Sequence, residues 1–537
     1  MILEKLLNRF IRFQEKARET PAPKNGGNGD SQDNNLKGDS SDALLEKLSD
    51  NVNTIKELLG TSQDVKYHNI KLRGPGAPEA MLIFIDGLVD EKMITEGILE
   101  PLLTHEFNLA EGLAFGKLAQ IIDKQILQMG DVEVSNKISK LISAILSGSS
   151  ALIIDGVKEC LLISTKGYPT RSITEPQTEV VVRGPREGFT ENLRTNTAMI
   201  RRRIKSQDLR MEHMTVGKKT ETVICITYIK NVARQEIVDK LKERIEKIDT
   251  DSIIDSGYIE AFIEDSPFSL FETVGYTEKP DVAAAKMLEG RIAILVDGSP
   301  FAITVPHLFV ENFQTSEDYN TRFLYASVTR LMRFVAYFLS VFTVPVYIAL
   351  TTFHQELIPE TLLFTIANAR EGTPFPVFFE ALIMVISFEV LKEAGLRLPR
   401  PVGQAISIVG ALIMGDAAIA AGLAGAPVVI AVAFTAVAGF IVPNQIESTS
   451  ILRIIMMIIA ATLGGYGLAL GMLGLLIHLA SLKSFGVDFL TTVIPSTDLK
   501  DSFVRAPLWA MVRRPIALAG RNRIRMKPWL PQNSEKA

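Results

Sequence analysis

The sequence predicts an α/β soluble N-terminal region of two lobes followed by an all-α polytopic transmembrane domain. Three observations carry that reading. Strand-like apolar runs alternate with helical patterns as far as Arg330, long apolar stretches then crowd between Leu331 and Leu482, and only short polar turns separate those stretches. In hydrocarbon every backbone donor and acceptor must be satisfied within its own segment, so such stretches are read as helices, and a span needs roughly 20 apolar residues. The expected divisions are an amphipathic helix and disordered linker over 1–41, α/β lobe 1 over 42–178, α/β lobe 2 over 179–325, a transmembrane helical domain over 326–490 and a basic cytoplasmic tail over 491–537.

The chain opens on MILEKLLNRFIRFQEKAR, which sets Leu3, Leu6, Leu7 and Phe10 on one helical face among basic neighbours. It lacks the continuous apolar core of a signal peptide, so the N-terminus is expected in the cytoplasm. Such a helix either lies on a membrane surface or packs against a partner. From Thr20 to Ser41 the chain is so rich in Gly, Asn, Asp and Ser that it reads as a flexible linker. Leu44, Leu45, Leu48, Val52, Ile55, Leu58 and Leu59 then recur at helical spacing, giving an amphipathic helix that Gly60 ends.

Three strand patterns carry Asp-Gly: LIFIDGLV at Asp86, ALIIDGVKECLLIS at Asp155 and IAILVDGSPFAITV at Asp297. Asp-Gly tolerates the positive φ of tight hairpins, and at least the last two are expected to be hairpins. Ile85, Ile94, Ile98 and Leu102 line up with Tyr228, Ile237, Leu241 and Ile245 at a constant offset, and Asp155-Gly156 lines up with Asp297-Gly298 one residue short of it. Either an internal duplication or two ordinary α/β subdomains would give this pattern. Both readings place a split near Pro176 to Pro185.

The apolar stretches are Leu331 to His354, with a kink expected at Pro345, then Val377 to Ala394, Val402 to Gly425, Pro427 to Val442 and Ile451 to Leu482. The amphipathic Leu357 to Ala369 is a candidate interfacial or re-entrant helix. Arg322, Arg330 and Arg333 precede the first stretch, Lys392, Arg397 and Arg400 follow the second, and seven cations from Arg505 to Lys527 meet no acid. Positive residues near span ends mark the cytoplasmic side, which requires an even number of crossings. Five stretches are visible. Either Pro427 to Val442 is re-entrant or Ile451 to Leu482 breaks at Gly464-Gly465-Tyr466-Gly467, and four full crossings are expected.

The formal net charge of -4 gives no reason to expect nucleic-acid binding. Two distant cysteines, Cys160 and Cys225, suggest neither a disulfide framework nor a zinc site, and six scattered histidines offer no metal cluster. Gly112 to Lys117 has the wrong glycine spacing for a phosphate loop, and Leu118 stands where Ser or Thr is needed. No enzyme activity and no cofactor are expected.

Carboxylates inside apolar stretches are better clues, because an uncompensated charge there costs at least about 2.5 kcal/mol. Glu380 and Glu389 lie in the second stretch, where interface placement is the plain alternative. The third stretch, VGQAISIVGALIMGDAAIAAGLAG, is mild enough to line water. With several copies around an axis, Ile406, Val409 and Ile413 would make an apolar constriction, and Gln404 and Asp416 complete the candidate pore set. Close packing through small residues gives the same composition, as does Gly467-xxx-Gly471. Between the lobes, VVRGPREGFTENLRTN is read as a lobe hinge or subunit contact, with Arg183, Arg186, Glu187, Asn192 and Arg194 as its candidates, and Arg201-Arg202-Arg203 as a solvated charge run.

The segments RGPREGFTENLRTNTAMIRRRI and NAREGTPFPVFFEALIMVISFEVLKEAGLRLPRPVGQAISIVGALIMGDAAIAAGLAG, with the basic tail, closely resemble the A subunit of the GerA-type spore germinant receptors over about residues 44–530. The resemblance implies a nutrient receptor in the spore inner membrane, working with a transporter-like B subunit that binds the nutrient and a lipoprotein C subunit. It also implies that the A subunit is a homo-oligomer forming a nutrient-gated ion channel that triggers spore germination. A secondary transporter and a non-conducting signalling scaffold remain the competing classes.

Overall fold

The computed structural model describes residues 42–60, 62–74, 77–107, 118–122, 126–127, 131–167, 176, 179, 181–397, 409–410, 413–491 and 501–527. The expected N-terminal helix and linker lie outside these residues.

Two antiparallel five-stranded sheets are built in the same way. The first half runs α1 (Leu48–Leu59), β1 (Val65–Lys71), β2 (Glu79–Ile85), a helical run over 91–104 (α2), β3 (Val132–Ser135), α3 (Ile138–Leu146), β4 (Ser150–Ile154) and β5 (Cys160–Ile163). The second runs α4 (Leu193–Arg203), β6 (Leu209–Val216), β7 (Thr222–Ile229), α5 (Gln235–Glu246), α6 (Ser256–Ile263), β8 (Gly275–Thr277), α7 (Pro280–Glu289), β9 (Ile292–Val296) and β10 (Ala302–Val305). The strand orders are β1-β2-β4-β5-β3 and β6-β7-β9-β10-β8, which correspond strand for strand.

Each sheet is covered by helices on both faces, so its central strands are apolar almost throughout instead of alternating. On β7, Ile224, Ile226 and Tyr228 meet Ile237, Leu241 and Ile245 of α5, while Cys225 and Ile229 face Met199 and Ile200 of α4. In the first lobe Leu82 faces Ile94, Ile98 and Leu102 of α2, while Ile83 and Ile85 face α1 and α3. The aligned Ile94, Ile98, Leu102 and Ile237, Leu241, Ile245 thus occupy corresponding helices, whereas Ile85 and Tyr228, aligned at the same offset, face opposite sides of their sheets.

The two later Asp-Gly pairs turn hairpins, as expected, but over five residues each, 155–159 and 297–301. The reason is that both aspartates serve a helix. Asp155 Oδ1 accepts from the Leu48 N–H at 2.9 Å and Asp297 Oδ1 from the Leu193 N–H at 3.1 Å, satisfying an orphan donor at the start of α1 and of α4. The following glycines, with φ of 81° and 87°, donate to Glu46 O and Glu191 O, both at 2.8 Å. Asp86-Gly87 instead leads from β2 toward α2. A detail this specific, found twice, supports the duplication reading.

The helical part contains α8 (Phe323–Thr352), α9 (Glu360–Ala369), α10 (Val377–Arg397), a helical stretch over 413–420, α11 (Ala426–Phe440) and α12 (Ile446–Ser481). Two of these, α8 and α12, are long and apolar enough to cross a membrane. Pro345 does not interrupt α8, which stays helical for 30 residues. Within α12, Gly464 takes a non-helical φ of 61° and ψ of −145°, a conformation glycine alone adopts without strain. There the chain reverses. Ser448 Oγ near one end bonds Leu270 O, His478 Nε2 near the other lies 3.0 Å from Ser269 Oγ, and the turn rests on Phe353 and His354 at the far end of α8. The break expected in this over-long stretch is therefore a helical hairpin, with Gly471 of one arm closing on Met456 of the other.

After α12 the chain pairs β11 (Lys483–Ser484) with β12 (Val487–Asp488) beside the second lobe, and the tail folds onto that lobe. Leu518 is buried in the core over α5, and the Gly520 and Asn522 N–H groups donate to Val232 O at 2.7 Å and Asn231 O at 3.0 Å. In the first lobe the matching backbone, Leu88 to Asp90, bonds Thr165 and Gly167 of its own lobe. The tail therefore supplies to the second lobe an edge that the first lobe makes locally.

Candidate functional site

The segment between the sheets builds a packed joint. Asn192 caps α4, its Oδ1 accepting from the Thr195 N–H at 3.0 Å. Two residues on, the guanidinium of Arg194 bonds Asp86 and Glu91 of the first lobe, and Ala198 enters that lobe's core. Glu187 receives Arg203 Nη2 at 2.6 Å with Arg202 at 3.5 Å, while Arg183 and Arg186 are exposed. The glycine of the Gly184-Pro185 turn sits so close to Asn320, just before α8, that a Cβ would lie 2.9 Å from Asn320 Nδ2.

The arginine run is not a solvated face. Arg201, only 2% exposed, forks onto Asp64 of the first lobe: Nε to Oδ2 at 3.0 Å, and Nη2 to Oδ1 at 3.0 Å and Oδ2 at 2.7 Å. A planar fork on a carboxylate fixes orientation as well as distance. Beside it the Gln63 N–H donates to Met211 O at 3.1 Å and Ser62 Oγ to Leu209 O at 3.0 Å, so 62–63 lies along β6 of the other lobe. Sequence reasoning missed Asp64, whose only local signal is its place just before β1.

A second charged cluster ties the end of the second lobe, α8 and the tail together. Arg330, fully buried, donates from Nε to Asp318 Oδ2 at 3.1 Å and from Nη1 to Asp501 Oδ1 at 3.0 Å and Asp501 O at 2.6 Å. Arg333 completes Asp318, and Tyr319 Oη donates to Asp501 Oδ2 at 2.8 Å. Burial, then nearby Glu289, push the Asp501 carboxyl up to about 6 against the pull of Arg330. Phe313 and Phe334 stack against each other alongside it.

Both candidate acids of the second apolar stretch are paired with arginines. Glu380 is fully buried and takes Arg370 Nη2 at 2.8 Å and the Gly425 N–H at 3.2 Å. Glu389 takes Ser450 Oγ at 3.0 Å and Arg453 Nη1 at 3.2 Å, beside Lys392, and Arg453 Nε donates to Ser340 O at 2.7 Å. This second network joins α8, α10 and α12; Arg453, a charge inside an apolar run, was the overlooked signal.

Of the pore candidates, Gln404 and Ile406 lie outside the described residues. Val409 and Ile413 are 52% and 62% exposed, and Asp416 is exposed too. Ile413 and Asp416, three apart within the helical stretch over 413–420, share one of its faces. Among the described residues no group of acids, histidines or cysteines is arranged to hold a metal.

The family described as Bacillus/Clostridium GerA spore germination protein matches residues 53–517. Spore germination protein KA of Bacillus subtilis (strain 168) is 44% identical over 482 residues, covering 89% of this chain and 88% of that protein. Spore germination protein GerLA of Bacillus cereus is 34% identical over 86% of this chain and 93% of its own length. The crystal structure of the N-terminal domain of the A subunit of the Bacillus megaterium spore germinant receptor GerK3 is 36% identical, covers 50% of this chain and 97% of that one, and superimposes with a TM-score of 0.40. With the family matched across both sheets and the helices, and relatives aligned over most of their length, the chain belongs to the GerA family of spore germination proteins.

Proposed function

We propose that this chain is the A subunit of a nutrient germinant receptor in the spore inner membrane, and that copies assemble around an axis into a nutrient-gated ion channel. One observation carries the channel reading: Val409, Ile413 and Asp416 are all left exposed by a lone chain, and a continuous helix would set them in one stripe. In a ring that stripe would line the axis, where aliphatic rings gate by dewetting and acids favour cations. The paired carboxylates Glu380 and Glu389 are held by arginines, which leaves Asp416 as the acid available to an ion.

We infer six passes, where the sequence favours four: α8, α10, the stretch that ends in 413–420, α11 and the two arms of α12. With α12 broken at Gly464 its arms span roughly 27 Å and 26 Å at 1.5 Å per residue, and an even number keeps the lobes and the tail on one side, the cytoplasmic one by the cations that flank the helices there: Arg330, Arg333, Lys392 and those of the tail from Arg505 to Lys527. The lobe joint and the Arg330 cluster would carry a shift in a closed-to-open equilibrium from lobes to helices. A transporter-like B subunit and a lipoprotein C subunit are the proposed partners.

Purified full chain in liposomes, with and without the B partner, tests the reading. A nutrient-dependent current that Val409→Ala or Ile413→Ala turns into a constitutive leak supports it. Substrate-coupled flux without channel current would mean a transporter, no ion movement would mean a scaffold, and a monomer by mass would end the ring.

A further inference from the structure

The cleft between α10, α11 and α12 carries a charge that its own residues do not balance. It is lined by Glu389 and Lys392 of α10, Gly439 and Phe440 of α11, and Ser450 and Arg453 of α12. Two cations face one carboxylate, leaving one positive charge, and their side chains are 15% and 5% exposed. Glu389 is engaged on both oxygens: Oε1 accepts from Ser450 and Arg453, and Oε2 faces Lys392. Lys392 spends a second donor on Ser450 Oγ at 3.0 Å, and Arg453 spends Nε on Ser340 O. With three donors on a lysine and five on an arginine, both cations keep N–H groups that these contacts do not use. The apolar helices around them make an unbalanced charge costly.

We propose that this cleft binds a singly charged phosphate group, that of an anionic phospholipid headgroup. The inference rests on the proposed placement of the helices in a bilayer. Depth agrees with a headgroup, because Lys392 lies near the lobe-side end of α10 and Ser450 in the first turn or so of α12. Basic pockets between transmembrane helices at that level are headgroup sites. Space is present as well: a Cβ on Gly439 would meet nothing within 4 Å. The flanks select a lipid over a free anion, since Val390, Val437 and Phe440 are 64%, 62% and 52% exposed beside the charges and offer acyl chains an apolar track that inorganic phosphate would leave bare.

The test uses the full chain, first incorporated into phosphatidylcholine nanodiscs, then titrated in detergent with phosphatidylglycerol while retained lipid is counted by native mass spectrometry. The wild type is expected to retain phosphatidylglycerol in preference to phosphatidylcholine. Gly439→Leu fills the cleft and favours helix, and is expected to weaken that retention at least ~10-fold, the equivalent of about 1.4 kcal/mol. Arg453→Gln is expected to do the same, and Gly439→Leu keeps the test decisive if that variant does not fold. Equal retention by wild type and Gly439→Leu, or no preference between the lipids, overturns the site. Displacement of phosphatidylglycerol by inorganic phosphate overturns the lipid assignment in favour of a free anion. Failure to enter nanodiscs would refute the membrane placement itself, a result separate from any lipid preference.

Discussion

Removing the Arg201 guanidinium is expected to loosen both lobes at once, and the two native cysteines make this measurable lobe by lobe. Arg201→Met leaves the Asp64 carboxylate, with a side chain 5% exposed, buried without the fork that holds it. Breaking a buried pair by deleting one partner costs about 3–5 kcal/mol, because the remaining charge stays desolvated. Cys160 and Cys225 are fully buried in β5 and β7, and burial pushes the Cys160 thiol up to about 12 and that of Cys225 up as well. Neither reacts until its sheet opens, so the labelling rate of the full chain, measured in Cys225→Ala and Cys160→Ala backgrounds, reports the opening free energy of each lobe. At about 3 kcal/mol, labelling should accelerate by at least roughly 100-fold at both positions. In the double variant Arg201→Met/Asp64→Asn part of the loss should return, with a coupling of about 1–3 kcal/mol. Acceleration below roughly fivefold, about 1 kcal/mol, with no coupling, would refute the view that this pair locks the joint.

Leu518→Ala should cost about 2–5 kcal/mol as a core truncation and speed labelling at Cys225, although residue 518 lies more than 200 positions from the sheet it supports. Gly464→Ala forces a side chain into a glycine conformation, with its Cβ 2.9 Å from the Phe353 ring; thermal unfolding in detergent should show a loss of at least about 1–3 kcal/mol, whereas Gly474→Ala, whose Cβ meets nothing within 4 Å, should not destabilise. The Glu260 carboxyl is pushed up to about 8 by burial and by Glu272, Glu264, Glu447 and Asp255. A carboxyl raised on folding favours the folded state while it stays protonated, so that contribution is lost as pH climbs from the ordinary value of 4.5 through about 8. Glu260→Gln should accordingly be neutral near pH 4 and progressively stabilising toward pH 8 and above, read as melting temperature against pH; a constant difference would refute the assignment.

Elements set by neighbours in sequence were readable in advance. The spacing of Leu48, Val52, Ile55 and Leu59 gives α1, the Asp-Gly pairs at 155 and 297 give two hairpins, and glycines at 464, 465 and 467 give the break in α12, because periodicity and turn chemistry act over a few residues. The offset between Ile94, Ile98, Leu102 and Ile237, Leu241, Ile245 similarly anticipated two sheets of one design.

Charge pairing was not readable, because partners are chosen by packing. Arg201 looked like part of a solvated run until the lobes closed on Asp64, 137 residues away. Glu389 had no visible partner until α12 brought Arg453 to it across 64 residues, and Arg330 found Asp501 across 171 residues. Local pattern was enough to say which of these segments are helix or turn and that apolar stretches crowd between Leu331 and Leu482. Packing of distant segments chose which charges are buried in pairs, which cleft keeps one unbalanced, and that the tail finishes the second lobe, since desolvation makes a buried charge tolerable only where folding delivers its partner.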